Sequence, residues 1–405
     1  MLLNVIFCNA TFAKKKKTEL CMFRLGLIGY GGFGRFLYHA WQQVTEVSLV
    51  AIADPVLHAL PPGVQGYPDW QDLLAHADVE GVAIAVPPYL HATIACAAME
   101  AGKHVLIEKP PALTFEEARR LQEIQTRTGR VAMVDFVLRY TPLVALVYRW
   151  CREGTFGKLR RVVVENYAQD ATLPPTHWFW DPKQSGGILI EHGIHFIDLV
   201  QGCTTAQPVK VQGAGIWRTP EQMDRMLATV VYADGLMTTH YHAFAGPGFF
   251  EHTSLRFVFD LARLELTGWI PSKGHLTALL TESVAQQLQM LPFFQAIRQV
   301  PIEAVPDESR PEGWGLTHTP TDLHVCRFGE HTYTVDVLLE GTFTLPSSKG
   351  EIYQEALRAV LRDFVQAARH PHHRPQVTLQ EGLASLQVAL EASREAGLPV
   401  GYNGA

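Results

Sequence analysis

At 405 residues the chain exceeds the size at which one hydrophobic core keeps growing, so two domains are expected. Hydrophobic residues make up 47% and charged residues 18%, the balance of a globular chain rather than a disordered one. With 34 Lys plus Arg against 40 Asp plus Glu, a formal charge of −6, no global positive field invites nucleic acid, and the expected partners are small molecules.

Residues 1–22 open with a short apolar run followed by four lysines, the reverse of a secretory signal's charge order, and read as a loose extension. No later apolar stretch reaches the roughly 18 to 20 uncharged residues of a spanning helix, so no membrane role is expected. The six cysteines are scattered and form no CxxC pair, which suits free thiols in a reducing, cytoplasmic setting.

From Phe23 to Thr141 short apolar runs alternate with helical patterns: FRLGLIG, FGRFLYHAWQQ, VSLVAIAD, PDWQDLLAH, GVAIAVP, HATIACAAMEAG and KHVLIE. Such alternation builds a parallel sheet covered on both faces, so residues 23–141 are expected to form a doubly wound α/β domain. Thr114 and Glu117 form a capping box ahead of a helix that stops near Gly129, and Gly102 marks another helix end. Thr141 and Pro142 then cap a bridging helix, LVALVYRWCRE, closed by Gly154. Beyond it, strands joined by turns predict a mostly antiparallel sheet within a second α/β domain, residues 142–405. Leu276 to Val300 has helical apolar spacing, Pro301 to Pro320 reads as a loop, and helices at 351–369 and 379–396 close the chain, the last capped by Thr378 and Glu381.

Gly29-Tyr30-Gly31-Gly32-Phe33-Gly34 fits GxGxxG directly after a strand and at the start of a helix. The first glycine permits a tight turn, the second lets the backbone approach a pyrophosphate, and the third lets helix and strand pack closely. Asp54 ends the next strand, where its carboxylate can accept from ribose hydroxyls and repel a 2′-phosphate, so NAD is favoured over NADP. Lys109, in GKHVLIEKPPAL, follows a strand end, where ligands of open α/β sheets bind, and can stabilise charge developing on a substrate oxygen.

GGILIEHGIHFID, residues 186–198, sets Glu191 and His195 on one helical face, with Asp198 beside His195 and His192 turned away. A metal site would draw on Glu191, His195 and the adjacent His192, but neither HExxH spacing nor a distant Cys/His set completes one, so no metal is expected. Asp198 reads as an anchor for the helix. His177, Trp178 and Trp180 in THWFWDPKQ and the strand Thr238-Thr239-His240-Tyr241-His242 are candidates for the substrate pocket.

The GYGGFG loop, VPPYLHATIACAAMEAGKHVLIEKPPALTFEEA, the LRYTP segment around Arg139, EGTFGKLRRV, GGILIEHGIHFID and SREAGLPV together resemble the Gfo/Idh/MocA oxidoreductases from Phe23 to Val400. The resemblance implies an NAD-binding Rossmann domain, a second domain whose open sheet assembles dimers or tetramers, and hydride transfer between nicotinamide and a sugar, polyol, inositol or related secondary alcohol. It implies Lys109, His195 and Glu191 as catalytic and substrate-binding residues, with Glu191 as partner to His195 at a position where many members have Asp. It draws Gly29, Gly31, Gly32, Phe33, Gly34, Asp54, Pro87, His91 and Glu108 to the cofactor, and Arg139 and Trp178 to the substrate. Ala85-Val86-Pro87-Pro88 lacks the Thr that many members carry before Pro. An NAD-dependent glycosidase and a non-catalytic dinucleotide-binding regulator stand as alternatives.

Overall fold

The structure, a computed structural model, describes residues 22–57, 59–305 and 322–399. The extension expected over residues 1–22 lies, except for Met22, outside the described residues, as does most of the Pro301 to Pro320 loop.

The first domain is a six-stranded parallel sheet. Its strands are β1 (Phe23–Ile28), β2 (Val47–Ala53), β3 (Gln65–Tyr67), β4 (Gly81–Ile84), β5 (His104–Ile107) and β6 (Ala132–Val134), in the order β3-β2-β1-β4-β5-β6. The order reverses between β1 and β4, which opens a crevice above their carboxyl ends. Helices α1 (Gly32–Trp41), α2 (Trp70–His76), α3 (His91–Glu100) and α4 (Phe115–Thr128) are the crossovers. The Thr114–Glu117 capping box forms as expected, and Gly129 ends α4 in the left-handed conformation at φ 63°. Helix α5 (Pro142–Glu153) ends at left-handed Gly154, but no side-chain cap opens it. The Thr141 hydroxyl donates instead to the Leu138 carbonyl, 2.8 Å away.

The second domain carries β7 (Leu159–Gln169), then α6 (Pro182–Ser185) and a π turn (Leu189–Gly193) that runs straight into α7 (Ile194–Gln201). Strands β8 (Pro208–Thr219), β9 (Gln222–Tyr232), β10 (Met237–Gly246), β11 (His252–Phe259), β12 (Ala262–Thr267) and β13 (Lys273–Leu280) follow. After α8 (Glu282–Gln289) come β14 (Phe294–Pro301), a separate hairpin of β15 (Val325–Phe328) and β16 (His331–Thr334), and β17 (Val337–Thr344). Nine strands form one sheet in the order β14-β17-β13-β12-β11-β7-β10-β9-β8, antiparallel throughout except where β7 meets β10. The helical spacing over Leu276 to Val300 thus resolves into strand, helix and strand, and only its centre is helical.

Two closing helices, α9 (Lys349–Arg369) and α10 (Leu379–Glu395), each begin with a capping box, Ser348–Glu351 and Thr378–Glu381. Although α9 follows the second sheet in sequence, it returns to the first. Its Leu357, Val360, Leu361 and Phe364 pack with Phe23, Leu25 and Leu37 from β1 and α1, and Trp41 Nε1 donates to the Leu357 carbonyl at 3.2 Å. One face of the parallel sheet is therefore closed by residues more than 300 positions downstream, and this sets Tyr353 and Leu357 at the crevice.

The contact between α1 and β1 depends on Gly34. A Cβ there would stand 2.1 Å from the Gly29 carbonyl oxygen, a backbone atom that cannot swing aside. Gly34→Ala is expected to cost at least about 1–3 kcal/mol by overpacking, read as a lowered Tm in thermal unfolding, and an unchanged Tm would contradict this packing role.

Candidate active site

A cleft of about 520 Å³ lies over the crevice between β1 and β4. At one end it meets the glycine loop. Gly29 takes φ 96°, and a Cβ on it would strike the Ala85 carbonyl at 2.4 Å, so the tight turn requires glycine. A Cβ on Gly31 or Gly32 would meet open space instead. The N-terminus of α1 has no side-chain cap and no acid in its first turn, so free N–H groups and the positive end of the helix dipole face that space. An anionic pyrophosphate fits these donors and this room. Asp54 stands beside the loop, its two carboxylate oxygens accepting from Tyr30 N at 2.6 Å and Val56 N at 2.8 Å. A carboxylate has about four lone-pair positions, so both oxygens retain capacity to accept from a ribose.

The other end holds the polar groups. Lys109 Nζ donates to Glu191 twice, to its carboxylate Oε1 at 2.6 Å and to its backbone carbonyl at 2.7 Å. Burial alone would raise the Glu191 carboxyl, but Lys109 and His192 outweigh it and hold the group below the usual carboxylate range. Glu191 sits in the π turn while His195 lies one turn on in α7, and no hydrogen bond joins them. The sequence suggested Glu191 as partner to His195; here it is partner to Lys109. His195 is 7% exposed, and its Nδ1 has no hydrogen-bond partner. Burial, helped by nearby Lys109 and His192, pushes this imidazole well below its ordinary 6.5, so it is neutral and able to take up a proton at pH 7.

Other expected site residues divide by position. Phe33, Pro87, Glu108 and Trp178 line the cleft. So does His91, but its ring nitrogens face the carbonyls of Pro110 at 2.7 Å and Val86 at 2.8 Å, so its polar atoms brace two loops. Arg139 does not line the cleft. It grips Asp198 with two 2.7 Å bonds in the interior and donates to the Gln376 carbonyl, and Asp198 thereby anchors α7 as its position suggested. Trp180 turns away, donating from Nε1 to the Leu173 carbonyl beneath the Arg218 guanidinium. His240 and His242 are fully buried on one face of the second sheet, and Thr239 and Tyr241 alternate to its other face, so the Thr238 to His242 strand lines no part of the cleft. His192 also packs, against Phe196, His242 and Phe244, although its edge reaches the cleft.

Three polar or aromatic cleft residues were not marked by the sequence: Asp135, Trp269 and Tyr353. Asp135 follows the end of β6, where the strand-end rule that found Lys109 would have found it too. Trp269 and Tyr353 arrive from distant elements and carry no local signal. Asp135 is 3% exposed and lies against the buried carboxyl of Glu108. Burial raises both carboxyls, and Asp135 is pushed up to about 7. Among the described residues, no group of three or more His, Cys, Asp or Glu side chains is arranged to hold a metal ion.

Residues 23–136 match the family model for the Gfo/Idh/MocA oxidoreductases with an NAD-binding Rossmann fold, and residues 144–263 match that family's C-terminal domain. The chain belongs to the Gfo/Idh/MocA family. Among curated proteins, it is 34% identical over 194 residues to levoglucosan dehydrogenase of Pseudarthrobacter phenanthrenivorans, covering 44% of this chain and 50% of that one. It is 30% identical over 201 residues to scyllo-inositol 2-dehydrogenase (NAD(+)) of Bacillus subtilis, covering 47% and 57%. The chain thus matches about half the length of these relatives. A solved oxidoreductase domain protein from Kribbella flavida superposes with a TM-score of 0.69 at 19% identity, covering 93% of this chain and 97% of that one, which shows a shared fold. No described helix of this Gfo/Idh/MocA protein is long and apolar enough to cross a membrane.

Two outcomes test the site. Gly31→Ala fills only open space, so stability to unfolding should change by no more than about 0.5 kcal/mol while NAD binding, followed by calorimetry, weakens at least about tenfold; intact binding would move the dinucleotide off the loop. The raised Asp135 carboxyl contributes stability that is present below its ordinary range and is lost as pH rises through about 7. Asp135→Asn should therefore raise stability by on the order of 2 kcal/mol at pH 8 and by much less at pH 5. An equal change at both pH values would show that no buried proton is held there.

Proposed function

We propose that this protein is an NAD-dependent dehydrogenase acting on a secondary alcohol of a sugar, polyol, inositol or related compound. The observation that carries the reading is the convergence of Lys109 and His195 on the cleft that begins at the glycine loop. The bound nicotinamide would accept the hydride from the alcohol carbon. The Gly31–Gly34 backbone and the N-terminus of α1 would hold its pyrophosphate, and Asp54 its adenosine ribose, which supports NAD over NADP.

The neutral His195 would take the hydroxyl proton. Lys109 spends two of its three N–H donors on Glu191 and keeps the third for the substrate oxygen, where negative charge develops as the proton leaves. Glu191 fixes that ammonium from two sides, so the lysine is a positioned donor rather than a free chain end. Both groups sit in a mostly apolar, partly enclosed space, where electrostatic effects outweigh those in water.

The face of the nine-stranded sheet turned away from the helices supports self-association into a dimer or tetramer. It exposes Met237, and Tyr167 and Leu227 at a shallow concavity. Cys96, Cys151, Cys203 and Cys326 are free thiols, which supports a reducing, cytoplasmic setting.

His195→Ala should lower kcat by about 10²–10⁴-fold while the NAD Kd stays within about twofold, measured by NADH absorbance and calorimetry. Equal losses in both would remove His195 from the chemistry. Because its depressed pKa keeps the imidazole neutral as pH falls through 6.5, the acid limb of kcat/KM should lie below that value. A limb at or above 6.5 would assign the proton to another group.

A further inference from the structure

A second chamber of about 310 Å³ adjoins the cleft. Trp178, Glu191, His192 and Trp269 form walls of both, so the chamber opens at the reacting end of the cleft. Its floor is the end of β7, and Asn166 there is 3% exposed. The Asn166 amide nitrogen donates to the Thr253 hydroxyl at 2.8 Å, but the amide oxygen is buried without a donor. An acceptor left unmet costs about 1–3 kcal/mol, so a ligand hydroxyl that donates to it recovers that cost. Trp178 and Phe244 supply apolar faces, and Gln169 and Glu251 supply polar groups at the rim.

Among the described residues, no unpaired lysine or arginine lines the combined space. Among the described residues lining it, the carboxyl groups are Glu108, Asp135, Glu191 and Glu251. There is no arginine, and Lys109, the one lysine, is already paired to Glu191. Burial keeps His192 and His195 uncharged at pH 7. A phosphate or carboxylate entering here would lose its water and find no free cation to replace it.

We infer that the chamber selects an uncharged polyhydroxylated ring over its anionic counterparts, with Asn166 as the specificity-determining acceptor for one ring hydroxyl. The inference rests on His195 and Lys109 being the reacting pair, since they fix which end of the ring faces the chamber.

The test uses the full chain with NAD and compares myo-inositol and D-glucose with glucose 6-phosphate and glucuronate, by calorimetric binding and by NADH formation. The neutral rings should bind at least about tenfold more tightly than the anions. Asn166→Leu should raise KM and Kd for the neutral ring at least about tenfold with the NAD Kd unchanged. Glu251→Lys, at an exposed position on the rim, should narrow the gap between glucose and glucose 6-phosphate. Anions binding as well as neutral rings, no binding of either class, or Asn166→Leu leaving ring binding intact would each overturn the inference. Neutral rings that bind selectively without reducing NAD would support the chamber and overturn the dehydrogenase reading instead.

Discussion

The buried pair between Arg139 and Asp198 is the constraint on which the site depends. Arg139 belongs to the segment that leaves the parallel sheet after β6, and Asp198 to the helix that follows Glu191 and His195. Two 2.7 Å bonds join them where Asp198 has no exposure at all, and the Ser385 hydroxyl on α10 donates to the same carboxylate at 3.2 Å. Burial pushes the Asp198 carboxyl up, and the two-pronged guanidinium opposes it. Such pairs add little net stability over apolar packing, but an unpaired partner is costly, so they penalise every arrangement except the one in which both meet. Here that arrangement seats α7 against the first domain. Only with that helix seated can Lys109 from β5's end and Glu191 from the π turn meet at 2.6 Å.

Around this frame the cleft keeps its titratable groups in unusual states by removing water. Histidines are held neutral and the Glu108 and Asp135 carboxyls are raised, so the space contains fewer charges at pH 7 than its residues suggest. The two kinds of shift pull stability in opposite directions. Protonating the buried imidazoles costs stability as pH falls below 6.5, and ionising the carboxyls costs it as pH rises. A proton acceptor and a cationic donor therefore coexist near neutrality with little competing charge.

Much of this was legible in the sequence because the signals were local. Thr114 with Glu117 and Thr378 with Glu381 sit within one turn of each other, and the glycine loop is a contiguous strand-to-helix transition whose tight contacts involve Gly29 and Gly34. Lys109 and His195 were found for the same reason, each at an element end or on a short helix. The failures arose where tertiary contacts decided the outcome. Arg139 faces inward because Asp198 lies 59 positions away to receive it, and no spacing rule carries that information. Leu276, Leu279 and Leu280 fit a helical stripe as well as a strand, and pairing with β17 makes them strand. Tyr353 reaches the cleft because α9 packs on the first sheet, a choice made by the whole apolar face of that helix.

The double bond from Lys109 to residue 191 has a further meaning for how such a site varies. One of its two acceptors is a side chain and the other is main chain. The main-chain half is indifferent to which amino acid occupies the position. A shorter acid at 191 would draw the charge back from the ammonium and an amide would remove it, and either would leave the carbonyl in place to orient the lysine. The position is thus a tuning point at which selection can adjust local electrostatics without unseating the lysine.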